Sequence, residues 1–364
     1  MKKAKKQYII PVFIPHLGCP NDCSFCNQKS ISGKTKMPTK DEVISIIESN
    51  LKSFKEENAY IEIAFFGGSF TAIDEKIQNE LLEVAYEYVQ KGVVDSIRIS
   101  TRPDYITKDI LKRLKKYKVK TIELGVQSTN NYVLAKAKRG HTFEDIKKAS
   151  KLIRFYGFNL GHQMMVGLPE STALDEVNTA KDLIKLKPKI VRIYPVLVIK
   201  DTELEEDYNN GEYEPLSVTQ AVERCTEIAD LFNKKKINII RIGLQNTEEI
   251  TDPSEETSQV VAGPYHPAFR QLVEGRLWYN AIVSQIKKYN TKVKVVEIKA
   301  NPEDVNNIIG HKKENIKKLK DIYEVDIVLK TDENIKNGKF EINVEKTYDD
   351  LLQENIKNKE TIKE

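Results

Sequence analysis

Tyr8-Ile-Ile-Pro-Val-Phe-Ile14 runs through Pro15 into His16-Leu-Gly-Cys19-Pro-Asn-Asp-Cys23-Ser-Phe25-Cys26, and this stretch decides the fold. The first seven residues are rich in β-branched and aromatic side chains and end at a proline, which predicts a strand. Three cysteines then fall within eight residues, where a strand-end loop would carry them. Four cysteines in 364 residues do not make a disulfide framework, and such clustering points to a metal in a reducing cytoplasm. The fourth, Cys225, lies in an amphipathic helical pattern and reads as a core residue.

Outward from this stretch, short apolar runs alternate with longer amphipathic segments to about residue 245. Strands are predicted at 8–14, 60–66, 94–100, 121–125, 160–166, 191–196 and 237–242, with helices at 41–55, 74–91, 108–117, 142–156, 173–186 and 217–235. Six βα units without a second sheet signature predict an α/β fold, a partial (β/α)6 barrel of the TIM type, over residues 7–245. A Thr-, Ser-, Glu- and Pro-rich loop over 247–267 and a helix over 268–288 form a linking segment, 246–291, which reads as a bridge packed on the barrel. From residue 292 to 360 the order becomes strand, helix, helix, strand, strand, helix (the last at 348–358), a small α+β domain.

Hydrophobic content of 40% and charged content of 31% describe a globular chain, and no apolar run reaches the length of a membrane span. The N-terminal lysines precede a strand-like run where a signal peptide would have its apolar core, so a cytoplasmic location is expected. A net charge of +4 neither demands nor excludes a polyanionic partner.

The C-x3-C-x2-C spacing of Cys19, Cys23 and Cys26 leaves two metal readings. Three thiolates can hold three irons of a cubane cluster and leave the fourth iron open. A closed zinc site completed by His16 uses similar short spacings, but zinc asks nothing of later strand ends, and here they carry motifs. Phe66-Gly67-Gly68-Ser69 follows the second strand. Ser100-Thr-Arg-Pro-Asp104, Glu123-Leu-Gly-Val-Gln127-Ser128, Lys138-Arg139-Gly-His141 and Gln163-Met-Met-Val-Gly167-Leu-Pro169 come at or after later ones.

Together these motifs resemble the radical S-adenosylmethionine (SAM) superfamily, and within it the oxygen-independent coproporphyrinogen oxidases and the radical SAM half of the Elongator catalytic subunit. The resemblance implies that Cys19, Cys23 and Cys26 hold a 4Fe-4S cluster and that SAM chelates its open iron. One electron from a reducing donor then gives methionine and a 5′-deoxyadenosyl radical. Phe25 matches the aromatic residue expected against the adenine. Gly67, Gly68 and Ser69 match the Gly-Gly-Glu element that receives the methionyl amine, with Ser69 in place of Glu and its backbone still able to serve. Gln127, Arg139 and Gln163 match contacts to the ribose and carboxylate, Arg139 being suited to bidentate pairing. Ser100 matches a position that is acidic in the oxidases, and Gln163 one that is Asp. No residue is assigned to the hydrogen-abstraction step itself.

Val191-Arg-Ile-Tyr194-Pro-Val-Leu-Val-Ile-Lys200 is more similar to the Elongator subunit than to the oxidases, which tilts the implied substrate toward tRNA, with Tyr194 and Lys200 placed to reach the barrel mouth. The last domain resembles a KH domain, whose Gly-x-x-Gly loop clamps single-stranded nucleotides. Here the loop is Gly310-His311-Lys312-Lys313, its second glycine replaced. Lys312, Lys313, Lys317, Lys318 and Lys320 oppose Glu314 alone, and Gly310, Lys312, Lys313 and Lys317 are the expected nucleic-acid contacts. The Elongator subunit continues into an acetyltransferase domain for which this chain leaves no room before Glu364, so the acyl group would come from a separate acyltransferase. A coproporphyrinogen-type oxidoreductase and a non-catalytic metal-containing RNA-binding protein are the alternatives.

Overall fold

Seven parallel strands curl into a half-barrel in the order β1-β2-β3-β4-β5-β6-β8. They are β1 Gln7–Ile14, β2 Tyr60–Gly67, β3 Ser96–Thr101, β4 Val119–Gln127, β5 Asn159–Val166, β6 Ile190–Pro195 and β8 Asn238–Ile242. The computed structural model describes residues 6–15, 23–27, 36–56, 58–289 and 292–353. Among these, neighbours in the sheet are neighbours along the chain, as right-handed βα units require, and the partial barrel expected from the periodicity is the fold observed. Two compact units divide at Pro267/Ala268.

The helices between the strands start where the sequence supplies caps. Thr39, Thr142, Thr172 and Ser217 each form a capping box with the residue three positions on, Glu42, Asp145, Asp175 and Gln220, at the heads of α1 Lys40–Ser53, α5 Phe143–Phe155, α6 Ala173–Leu186 and α8 Val218–Lys234. Asp74 and Thr107 cap α2 Glu75–Gln90 and α3 Lys108–Lys116. Two short helices, α4 Asn131–Lys136 and α7 Glu203–Asn209, follow β4 and β6. Periodicity does not predict them, because one or two turns carry too little of it to read.

Alternation along the strands separates two faces. Ile63, Phe65, Ile97, Ile99, Ile122 and Leu124, all fully buried, form the side covered by helices. Register pairs Glu62 with Ser96, Ser100 with Glu123, Gln163 with Arg192 and Met165 with Tyr194, so these residues share the concave side. Val198–Ile199 (β7) pairs antiparallel with Val260–Ala262 (β9), inside a stretch that reads from sequence as plain loop.

The second unit begins with α9 Phe269–Ile286, the helix expected as a bridge. Its Tyr279, Ile282, Val283 and Ile286 pack in one core with Val296, Ile298, Ile308 and Leu319. Around it are β10 Val293–Ala300, α10 Val305–Ile309, α11 Glu314–Tyr323, β11 Asp326–Thr331 and β12 Phe340–Thr347. The central β10 is parallel to β11 and antiparallel to β12. The last expected helix is present at 348–353, and its remainder lies outside the described residues. No helix among the described residues is long and apolar enough to cross a membrane.

Candidate active site

The cysteine loop is held at its C-terminal side by the ends of three later βα units. Ser24 donates its N–H to Ala137 (3.3 Å) and accepts from the Leu204 N–H (2.8 Å), while Asn27 Nδ2 donates to the Lys200 carbonyl at 2.9 Å. Cys23 and Phe25 pack in one apolar cluster with Val133, Leu168, Val196 and Leu204, and Cys26 lies at its edge. The Cys26 N–H closes a turn on the Cys23 carbonyl at 3.0 Å, which draws the two cysteines of the C-x2-C pair together. Cys19 and His16 lie outside the described residues. Cys225 is fully buried, and burial raises its thiol well above the ordinary range.

Arg139 lies over this loop. It follows α4 in a turn that runs through the left-handed backbone of Lys138 and Gly140. One guanidinium nitrogen donates to the Cys23 sulfur at 3.2 Å and another to the Gly125 carbonyl at 2.8 Å. A β-carbon on Gly125 would stand 2.7 Å from the guanidinium and 3.2 Å from the Gln127 amide, so a side chain at this point of β4 would push both flexible ends aside. Gln127 ends β4 in the left-handed region (φ 72°), at a bulge against β5, and its Oε1 accepts from Gln163 Nε2 at 3.3 Å. Cys23, Arg139, Gln127 and Gln163 therefore meet at the carboxyl ends of the strands, where barrels of this kind carry their chemistry.

Gly67 and Gly68 lie beside the origin of the cysteine loop. β-Carbons there would stand 2.3 Å from the Ile14 oxygen and 2.5 Å from the Pro15 oxygen, and the Gly68 N–H is already donated to Ile14 at 2.8 Å. The pair is needed for backbone approach to the end of β1, and Gly67 remains exposed. The Ser69 hydroxyl is spent on β3, 2.8 Å from the Thr101 hydroxyl and accepting from the Arg102 N–H at 3.2 Å. Any contact it makes with a ligand falls to its backbone. Ser100 is half-buried on the concave face beside Glu123. His141, next to Arg139, donates from Nε2 toward the Val126 carbonyl at 3.3 Å. Burial, then the charges of Arg139 and Arg102, hold its pKa at about 3, so it is neutral near pH 7.

The concave face carries a network that sequence reasoning misses. Arg98 donates Nε to Glu62 at 2.7 Å and Nη1 to Glu123 at 2.8 Å. Arg192 donates Nε to the same Glu123 at 2.6 Å and Nη1 to the Tyr194 hydroxyl at 3.0 Å. The Arg192 guanidinium lies 4.8 Å from the centre of the Phe66 ring. Burial pushes the Glu123 carboxyl up, but Arg192 and Arg98 outweigh it and hold the group below the usual carboxylate range. Two arginines and two glutamates pair on this polar face, and Arg241, opposite Arg192 in the β6–β8 register and half-buried, adds a cation that makes no ion pair among the described residues. The one signal in the sequence is a charged residue breaking an apolar strand in four separate βα units, each of which alone looks like a surface position. Tyr194 joins this network, whereas Lys200 turns away to the Ser258 carbonyl at 2.7 Å.

In the second unit Gly310, Lys312 and Lys313 all have positive φ (77°, 49° and 64°), so the turn keeps a glycine-type backbone although lysines occupy two of its positions. Lys312, Lys313 and Lys317 are exposed, whereas Lys318 is paired with Glu314 and Lys320 with Asp326, which trims the basic face to three lysines.

Residues 13–184 match the model of the radical SAM superfamily, and residues 188–279 that of the radical SAM C-terminal domain. An uncharacterized protein of Methanocaldococcus jannaschii is 34% identical over 238 residues, 61% of this chain and 71% of that protein. The chain belongs to the radical SAM superfamily. A tRNA uridine(34) acetyltransferase of the same organism is 32% identical over 183 residues, 45% of this chain. The match spans 34% of that relative's length. Among solved structures, the archaeal Methanocaldococcus infernus Elp3 with an N-terminal deletion superposes with a TM-score of 0.60 at 22% identity, covering 79% of this chain and 64% of that one. This radical SAM chain is thus an enzyme of that class. Of the three cysteines expected to hold a 4Fe-4S cluster, Cys23 and Cys26 lie on one tight turn with the Arg139 guanidinium beside Cys23, and Cys19 lies outside the described residues.

Proposed function

We propose that this enzyme uses SAM to modify a base in RNA, in the first instance a tRNA. Cys19, Cys23 and Cys26 would hold a 4Fe-4S cluster, which when reduced supplies the electron that splits SAM. Arg139 would bind the SAM carboxylate above Cys23, Gln127 and Gln163 would orient the ribose, and the backbone at Gly67–Ser69 would take the amine, with Phe25 as the apolar neighbour of the adenine. Ser100 would face the ribose from β3.

The observation that carries the choice of substrate is the Phe66–Arg192 layer on the concave face. Glu62 and Glu123 neutralise Arg98 and Arg192, and a planar base can lie on the Phe66–Arg192 layer without importing charge. The names of relatives, tRNA uridine(34) acetyltransferases among them, support the same direction. The KH-like strand and helix order, with Gly310, Lys312, Lys313 and Lys317 around the turn, supplies a site for the phosphate backbone.

The test is anaerobic reconstitution with iron and sulfide, reduction with dithionite, and quantification of 5′-deoxyadenosine with and without tRNA transcript. Stimulation by tRNA, lost in Cys23→Ala, and a mass change on a tRNA nucleoside are the expected results. Cleavage of SAM with no RNA binding at low salt would return the small-molecule reading, tested directly with coproporphyrinogen. Absence of any cleavage would favour a metal-containing RNA-binding protein.

A further inference from the structure

Gly167, the first residue after β5, is held on both sides by side chains from distant elements. Its N–H donates to Glu176 in the first turn of α6 at 2.7 Å, and its carbonyl accepts from the Tyr213 hydroxyl at 2.7 Å. Arg224 on α8 braces the same Glu176 oxygen at 3.1 Å. Gly167 has φ +85°, a backbone conformation that favours glycine, and a β-carbon there would stand 3.0 Å from the Leu216 side chain. The next residue, Leu168, is 2% exposed and belongs to the cluster that contains Cys23 and Phe25.

Glu176 is itself 2% exposed, and its second oxygen has no hydrogen-bond partner among the described residues. Burying a carboxylate that holds one peptide N–H and one guanidinium is an expensive solution where an apolar contact would serve packing equally well. Burial pushes its pKa up to about 7, against the opposing pull of the Gly167 N–H and Arg224.

We propose that Glu176, Tyr213 and Arg224 form a positioning unit that fixes the Gly167 peptide and, through Leu168, sets the wall on which Cys23 and Phe25 rest, so that it governs how tightly SAM is held without touching it. This rests on the radical SAM reading above. Gly167 is reached from both sides by residues 9 and 46 positions away, and the three side chains converge only in the folded unit.

The experiment uses the full chain reconstituted anaerobically, with SAM as the probe. Four quantities are read: equilibrium SAM affinity, the change SAM makes in the electron paramagnetic resonance signal of the reduced cluster, iron content, and amide exchange over residues 165–169 of the unreconstituted protein. Glu176→Ala is expected to keep its iron, exchange faster at this segment and bind SAM about tenfold more weakly, in line with other residues that orient ligand-bearing groups. Glu176→Gln, which keeps an acceptor for the Gly167 N–H, should recover most of the affinity. Tyr213→Phe, a deletion of one hydroxyl that leaves the fold intact, should give an intermediate loss and serves as the deciding variant if Glu176→Ala is unstable. Wild-type affinity and an unchanged SAM-induced signal in Tyr213→Phe and in any folded Glu176→Ala overturn the proposal. Failure of the wild type to bind SAM overturns the underlying reading, and this proposal with it.

Discussion

The Arg139 guanidinium and the Cys23 sulfur, 116 positions apart in sequence, are within 3.2 Å of each other. In the proposed function this fixed positive charge beside Cys23 is the partner of the SAM carboxylate. Arg139→Ala is expected to lower 5′-deoxyadenosine formation at least tenfold with iron content retained, and Arg139→Lys to recover little, because a single ammonium cannot span both Cys23 and the Gly125 carbonyl. Measuring product and iron on the same samples checks it; an active Arg139→Ala would remove Arg139 from the site.

Cysteine substitutions should separate ligand from core. Cys23→Ala and Cys26→Ala are expected to abolish the broad cluster absorption after reconstitution. Cys225→Ala, at a fully buried position among α8 side chains, should reconstitute normally and cost on the order of 1 kcal/mol of stability.

Glu123 holds two arginines at once. Glu123→Ala leaves Arg98 and Arg192 without their shared counter-charge inside the barrel, and a loss of about 3–5 kcal/mol in unfolding free energy is expected. Denaturant unfolding measures it. A cost under about 1 kcal/mol would mean that water enters this face and screens the charges.

Glu176 gives a pH dependence with a defined sign. Its carboxyl rises from 4.5 when unfolded to about 7 in the folded protein, so the folded state binds the extra proton between those values. Its contribution to stability is full below about pH 4.5 and declines as pH rises toward 7, by up to roughly 3 kcal/mol. The difference in thermal midpoint between wild type and Glu176→Gln should therefore shift in favour of Glu176→Gln across this range and then level off.

Lys313 occupies a left-handed position with φ 64°. Lys313→Gly is expected to relieve backbone strain and stabilise the protein by about 1 kcal/mol or less, since glycine also brings chain entropy. Lys312→Glu with Lys313→Glu should weaken RNA binding and reduce its salt dependence, by about one unit of log–log slope for each lysine–phosphate pair that the substitutions remove.

The family and the sheet were legible in the sequence for a local reason. The C-x3-C-x2-C spacing and the alternation of strand and helix periods are properties of neighbouring residues, and Gly67-Gly68 announces a close backbone approach wherever the chain folds. Gln127 stands at the end of β4, whereas Gln163 lies within β5 and Arg139 follows α4, so those two were readable only through the family resemblance. The short β7–β9 pair was not, since strands of two and three residues have no period.

Tertiary structure alone decided the partners. Glu62, Arg98, Glu123 and Arg192 become one ion network through the register of β2, β3, β4 and β6. Gly167 acquires its support only when α6 and the segment through Tyr213 pack beside β5. Residue spacing along the chain determines which elements form and which covalent motifs they display. Which charges neutralise each other, and which buried peptide is held by which side chain, depends on strand register and loop path, set by packing of the whole sheet rather than by any one segment.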